Sequence, residues 1–324
     1  MKKLYLFFIF SFFYATTVLS QEPLYSFRQL AHVFDHLDQN SLVVLDYDFT
    51  LCVQKDQVLR YMLGGYEFDH AYSPKDKDFL QIAQNDFLQL IGEQRITNLA
   101  FDGEEIFIED CIKQMVNKLL SRGIKVLILT SIDTRRLDLD PMHFDGWCEN
   151  SVQKRYLSLK NLGLDLQNSF SQFEEHLFNN TSLFNTERGF PYFYRGILGV
   201  GNNSKGEVLK TFIKMAHSKF NLDFSNVVFV DDKPENCDSV YTSMRQLSLK
   251  ARTFWYQFRN PQAVDKDIVR LQIQKLQKDG TYWTENQISR DDAFVQMKFN
   301  EWCSTKMQGI KIFCRNLFCC GKSE

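Results

Sequence analysis

Asp46 and Asp48 are the first residues in this chain whose types and spacing suit chemistry. They follow the apolar run Leu42-Val43-Val44-Leu45, which reads as a strand buried on both faces. Side chains at i and i+2 of an extended segment point the same way, so the two carboxylates are expected to share one small volume at the strand's carboxyl end. Open α/β sheets bind their ligands at that end. Carboxylates held so close repel each other, and one stays partly protonated unless a cation lies between them. The pattern predicts a metal-assisted site.

Three later stretches supply groups of the right kind. Val126-Leu127-Ile128-Leu129 reads as a second buried strand and ends on Thr130-Ser131, whose hydroxyls suit a phosphate oxygen. Gly201-Asn202-Asn203-Ser204-Lys205-Gly206 leads into the helical run Glu207 to Ile213. Lys205 is thereby placed at or just before a helix amino terminus, where backbone N–H groups and the dipole favour an anion. Val227-Val228-Phe229-Val230 reads as a third buried strand and ends on Asp231-Asp232-Lys233-Pro234. A second acidic pair at a strand end completes a hard oxygen cage suited to Mg²⁺.

The elements that must carry these groups alternate in the α/β manner. Ser26 is placed to cap a helix with Phe27, Leu30, Ala31, Phe34 and Leu37 on its apolar stripe, leaving His32 and His36 on a solvated face. Residues 51–108 carry helical runs and few strand signals, broken at Gly64-Gly65 and Ser73-Pro74. An insertion directly after the acidic strand is a natural lid. A helix from Glu109, with Ile112, Met115, Val116, Leu119 and Leu120 on one stripe, ends at Arg122-Gly123 and feeds the second strand. Val152 to Leu162 reads as helix, and Tyr194 to Val200 as a strand beside the site.

Composition narrows the function classes. With 324 residues the chain holds one large α/β domain or two small ones. A net charge of −2 gives no basic footprint, so no nucleic-acid partner is expected. The 30 phenylalanines read as compositional bias rather than an aromatic binding surface. Lys2 and Lys3, the apolar run Leu4 to Phe13, and small Val18 and Ser20 read as a signal peptide over residues 1–20, cut before Gln21. The mature chain is therefore expected to be exported, either periplasmic or secreted.

The eight cysteines form no disulfide framework and no CxxC pair. Cys52 and Cys237 each follow an acidic motif and read as buried apolar residues near the site. In the tail, residues 301–324, Cys303, Met307, Ile310, Cys314 and Leu317 recur at helical spacing. The stripe reads as a helix folding back onto the domain; the alternative is a membrane-surface or partner-binding helix.

Taken together, Asp46-x-Asp48-x-Thr50, Thr130, Lys205 and Asp231-Asp232 resemble, in order, the four motifs of the haloacid dehalogenase (HAD) superfamily, over roughly residues 25–300. Within it the chain is most similar to a poorly characterised bacterial "domain of unknown function" family with secretory signals, found in intracellular bacteria. That similarity extends through Phe254 to Gln272 and Ile288 to Ala293. The resemblance implies an α/β, Rossmannoid three-layer sandwich with a central parallel sheet over residues 21–300 and a small helical cap at 51–108.

It further implies a Mg²⁺-dependent phosphatase. Asp46 attacks a phosphate monoester and becomes an aspartyl phosphate, and Asp48 serves as general acid and base. Thr130, Ser131 and Lys205 bind the phosphoryl oxygens. Mg²⁺ is held by Asp46, the Asp48 backbone carbonyl and Asp231-Asp232, with Asp232 the direct ligand and Asp231 its support. The substrate is expected to be a phosphorylated small molecule or a phosphoprotein. Phe49 stands where many superfamily members carry Gly. That departure, with the unusual tail, favours a rival reading: a catalytically idle module that binds a protein or lipid partner.

Overall fold

In the computed structural model of the chain, the residues described are 21–56, 59–60, 79, 81–83, 85–90, 103–135, 150–257, 266–279, 282 and 287–288. The expected signal peptide, the tail and most of the expected cap lie outside the described residues. No helix among the described residues is long and apolar enough to cross a membrane. The chain divides into two compact units, residues 1–50 with 109–257 and residues 51–108 with 258–324.

In chain order the strands are β1 (Glu22–Leu24), β2 (Ser41–Leu45), β3 (Cys52–Gln54), β4 (Glu105–Phe107), β5 (Lys125–Thr130), β6 (Glu175–Leu177), β7 (Tyr192–Tyr194), β8 (Ile197–Gly199), β9 (Asn226–Asp231) and β10 (Lys250–Tyr256). The α-helices are α1 (Ala31–Asp35), α2 (Cys111–Ser121), α3 (Ser151–Asn161), α4 (Lys205–Phe220), α5 (Pro234–Gln246) and α6 (Lys266–Asp279).

The first unit is an α/β domain built on one sheet in the order β1-β10-β9-β2-β5-β8-β7-β6. From β1 through β8 neighbouring strands run parallel; β7 and β6 are added antiparallel at one edge. This is a Rossmann-like arrangement. All five residues of β2 are buried, as its unbroken apolar run requires of a central strand covered on both faces. Strand order reverses at β2: β5 follows it on one side and β9 lies on the other. Such a switch point opens a crevice at the strands' carboxyl ends.

Leu42 and Val44 share one core cluster with Leu127, Leu129, Val227 and Phe229 from the flanking strands. Aromatic rings fill much of the rest. Phe170 meets Phe193 and Phe212 edge-on at centroid distances of 5.6 and 5.4 Å, and Phe173 stacks on Phe220 at 4.2 Å. Burying one such ring stabilises the fold by roughly 1.5–3 kcal/mol.

The first turn of the amino-terminal helix differs from a uniform 3.6 period. Ser26 and Gln29 form a capping box over a 3₁₀ turn, Phe27–Leu30, and only then does α1 begin. The tighter turn rotates Ala31 out to solvent, while Phe27, Leu30 and Phe34 stay buried. His32 and His36 are exposed, as their side of the helix suggested. Glu109 ties this turn to the start of α2: its carboxylate accepts from Ser26 Oγ, the Phe27 N–H and the Tyr256 hydroxyl at 2.7, 2.7 and 2.9 Å.

The expected strand from Tyr194 to Val200 is instead a hairpin. Arg195 and Gly196 both have positive φ, +46° and +91°, the conformation of a two-residue turn joining antiparallel β7 and β8.

In the second unit, β3 pairs antiparallel with β4, so the two ends of the 51–108 segment are zipped together. Each strand has three residues, too few to show a period in sequence. The buried Asp56 carboxylate accepts from Gln272 Nε2 on α6 at 2.8 Å. Val269 and Leu276 of α6 pack with Ala83 and Phe87. The unit is thus assembled from segments far apart in the chain.

Candidate metal and phosphate site

The site lies at the carboxyl ends of β2, β5 and β9. Leu45 is opposite Val230 in the parallel register, so Asp46 and Asp231 follow one step on, side by side on neighbouring strands. The Asp46 N–H continues the ladder to the Val230 carbonyl at 2.9 Å. Carboxylate oxygens of Asp46, Asp231 and Asp232 all lie within 4.8 Å of one another. Asp46 and Asp231 are buried, at 5% and 0% exposure, and Asp232 is half-buried.

Lys205 is the first residue of α4 and is only 3% exposed. Its Nζ donates to Asp46 Oδ1 and, at 2.6 Å, to Asp231 Oδ2. The buried face of α4, Val208, Leu209, Phe212, Ile213 and Ala216, recurs at helical spacing and fixes the helix against the core. Gly206 lets α4 approach α5 closely: a Cβ there would fall 2.2 Å from the Ser239 carbonyl oxygen. Those contacts hold the ammonium in place.

Asp231 is further held by donors from the start of α5. Its Oδ1 accepts from the Lys233 N–H and from Asn236 Nδ2, both at 2.9 Å. Pro234 at the first helical turn starts α5 directly after the acidic pair, which brings Asn236 back over Asp231. Asp232 accepts no side-chain hydrogen bond among the described residues, so its carboxylate is the one left open to a cation. Thr50 Oγ1 donates to the second Asp46 oxygen at 3.3 Å.

Electrostatics follow from burial and charge count. Burial, opposed by Lys205 and reinforced by Asp231, pushes the Asp46 carboxyl up to about 7. Burial, then the Asp46 and Asp231 charges, raises Asp232 well above the usual carboxylate range. Burial alone would lower the Lys205 ammonium, but Asp231 and Asp46 outweigh it and hold the lysine charged. When all three carboxylates are ionised, one ammonium leaves two negative charges uncompensated, the deficit a divalent cation neutralises; the raised values of Asp46 and Asp232 express the same deficit. The donors are all oxygen, with neither His nor Cys in the cluster, which fits a hard ion such as Mg²⁺.

Thr130 ends β5, and its carbonyl accepts the Val200 N–H at 2.9 Å. Its hydroxyl is fully buried and has no hydrogen-bond partner among the described residues. A buried hydroxyl without a partner costs free energy, and a bound oxyanion would satisfy it. Ser131, the next residue, is exposed.

Asp48 takes a different direction from Asp46. The regular strand stops at Leu45, and Phe49 has φ +60°, so strict strand alternation does not extend through this turn. The Asp48 carboxylate is not one of the three clustered groups; Arg155 Nη2 donates to its Oδ1 at 2.7 Å. The left-handed backbone at Phe49 costs a non-glycine residue about 1–2 kcal/mol. Backbone held in such a conformation is characteristic of functional turns.

Sequence reasoning did not single out Arg155 or Asn236. Arg155 did leave a signal: it occupies a position on the stripe of Val152, Tyr156 and Leu159, where a cation is out of place. Cys52 and Cys237 are both buried, as expected.

The chain thus forms a mostly parallel α/β sheet whose switch point carries a lysine bridged between carboxylates. The chain belongs to the family described as "Protein of unknown function (DUF2608)", whose model matches residues 24–289. It is 24% identical to the uncharacterized protein RP296 of Rickettsia prowazekii (strain Madrid E) over 279 residues, covering 85% of this chain and 90% of that protein. No solved structure matches the chain.

Proposed function

We propose that this protein is a HAD-like, Mg²⁺-dependent phosphatase that cleaves a phosphate monoester through an aspartyl phosphate on Asp46. The observation that carries the reading is the convergence of Asp46, Asp231, Asp232 and Lys205 at the strand ends, with the unpartnered hydroxyl of Thr130 at the end of the adjoining strand β5. Residues from the ends of β2 and β9 and the start of α4 meet there, although sequence separates them widely.

Asp46, Asp232 and, through its own hydrogen bonds, Asp231 are the residues suited to hold Mg²⁺. When bound, the ion supplies charge that lowers the repulsion between an anionic phosphate and an anionic nucleophile. The chain's own groups do the rest. An Asp46 oxygen forms a bond to phosphorus as the bond from phosphorus to the ester oxygen breaks. The leaving oxygen keeps that electron pair and takes a proton from Asp48, departing as an alcohol. Asp48, now a carboxylate, removes a proton from water as the water oxygen attacks phosphorus. The bond to Asp46 breaks, phosphate departs, and both acids return to their starting states. Lys205 and the hydroxyls of Thr130 and Ser131 bind the phosphoryl oxygens.

The substrate class is a phosphorylated small molecule or phosphoprotein side chain, and export of the mature chain places it outside the cytoplasm. A second reading, an idle module for a protein or lipid partner, is favoured by one observation: Lys205 bridges Asp46 and Asp231, so the chain's own ammonium compensates part of the carboxylate charge.

The test is hydrolysis of aryl and alkyl phosphates by the protein lacking residues 1–20, with and without Mg²⁺. Mg²⁺-dependent turnover that Asp46→Asn reduces to background supports the enzyme. A Mg²⁺-dependent rise in melting temperature without turnover of any phosphate ester supports the binding module instead.

A further inference from the structure

Arg155 is poised beside the acid that the proposed reaction needs at its leaving group. Its Nη2 lies 2.7 Å from Asp48 Oδ1, and its guanidinium carbon sits 4.3 Å from the centroid of the Tyr47 ring. The Arg155 side chain is 13% exposed and that of Asp48 41%. The better-buried partner is therefore the arginine, held between an aromatic face and the packed stripe of α3. A long side chain restrained by packing has little rotamer freedom left to lose, so it can fix the direction of the more exposed carboxylate it bonds. Neighbouring residues send Asp46 into the carboxylate cluster and Asp48 towards α3, which separates a nucleophile from a proton donor.

We propose that Arg155 is the positioning residue for Asp48, aiming its carboxyl group at the leaving oxygen of the substrate. The inference rests on the phosphatase reading and adds to it a residue outside the motifs that suggested it. Arg155 acts through Asp48 and needs no contact with the phosphoryl group. Its contribution therefore scales with how much the leaving group needs a proton. A nitrophenolate departs readily unprotonated; an alkoxide does not.

The test compares 4-nitrophenyl phosphate with glycerol phosphate, both with Mg²⁺. Arg155→Met keeps much of the packing on Tyr47 and removes the hydrogen bond. It is expected to lower kcat/KM for the alkyl ester by about 100-fold, the scale of general acid catalysis, with a loss on the aryl ester at least about tenfold smaller. Asp48→Asn should show the same leaving-group split. The double variant should be no worse than Asp48→Asn alone, because the two residues act as one unit. Arg155→Lys, which retains a donor, should recover part of the alkyl activity and serves if the methionine variant does not fold. Equal losses on both esters, or none, overturn the role of Arg155 while leaving the phosphatase intact. Failure of the unaltered protein to hydrolyse either ester overturns the phosphatase reading and this inference together.

Discussion

Lys205 Nζ lies 2.6 Å from Asp231 Oδ2 and donates at the same time to Asp46, so one buried ammonium joins the ends of β2 and β9. The contact closes the sheet's switch point from a third element, the first turn of α4.

Removing that ammonium leaves buried carboxylates facing one another. Lys205→Met is expected to cost about 3–5 kcal/mol of folding stability at pH 8, the range for breaking a buried ion pair from one side. Millimolar Mg²⁺ should restore part of it by replacing the lost positive charge. Urea unfolding with and without Mg²⁺ measures both effects; a variant as stable as the parent in Mg²⁺-free buffer would contradict the charge count.

The raised Asp46 carboxyl sets a pH dependence whose sign is opposite to that of an ordinary paired aspartate. Below its ordinary value of 3.8 the group is protonated in folded and unfolded chains alike. Between there and about 7 the unfolded chain ionises it and the folded chain does not, so unfolding releases a proton. This group's contribution to stability is therefore full in acid and is lost as pH rises through about 7. Protons also compete with a cation for the same oxygens, so Mg²⁺ should raise the melting temperature more at pH 8 than at pH 5.5. Melting scans at the two pH values, with and without Mg²⁺, check the sign, and Asp46→Asn should flatten the difference.

Thr130 offers a separation of stability from function. Its hydroxyl is buried without a partner, so Thr130→Val removes an unsatisfied group while nearly keeping the shape. Folding stability is expected to stay level or rise by about 1 kcal/mol. Phosphate-ester turnover is expected to fall, with the larger effect on KM. Denaturant midpoints and steady-state kinetics on the same preparation decide it; a destabilised variant with unchanged KM would mean that the hydroxyl serves the fold alone.

What the sequence disclosed is what short-range pattern can carry. β2, β5 and β9 announce themselves as apolar runs, and acids or hydroxyls directly after such runs must lie at strand ends. Lys205 is legible because its helix begins where the glycine-rich loop ends. Arg155 was not, because its partner is 107 residues away and nothing local marks the pairing. Asn236 depends on how the first turn of α5 folds back over Asp231. Tyr194 to Val200 reads as one strand, whereas the positive φ angles at Arg195 and Gly196 reverse the chain between β7 and β8. Ala31 left its expected stripe because a 3₁₀ turn has a shorter period than the α-helix assumed for it.

The placement of β2 between β5 and β9 bears on how the polypeptide matures. Asn226 Nδ2 reaches Ser41 Oγ across 185 residues, and this pairing forms one flank of the strand that delivers Asp46. Contacts of such long sequence separation form slowly, because a large loop must close before any of them is rewarded. A growing chain thus carries Asp46 for a long interval with no Asp231 beside it, and the carboxylate cluster is assembled late, when the two ends of that loop close on each other.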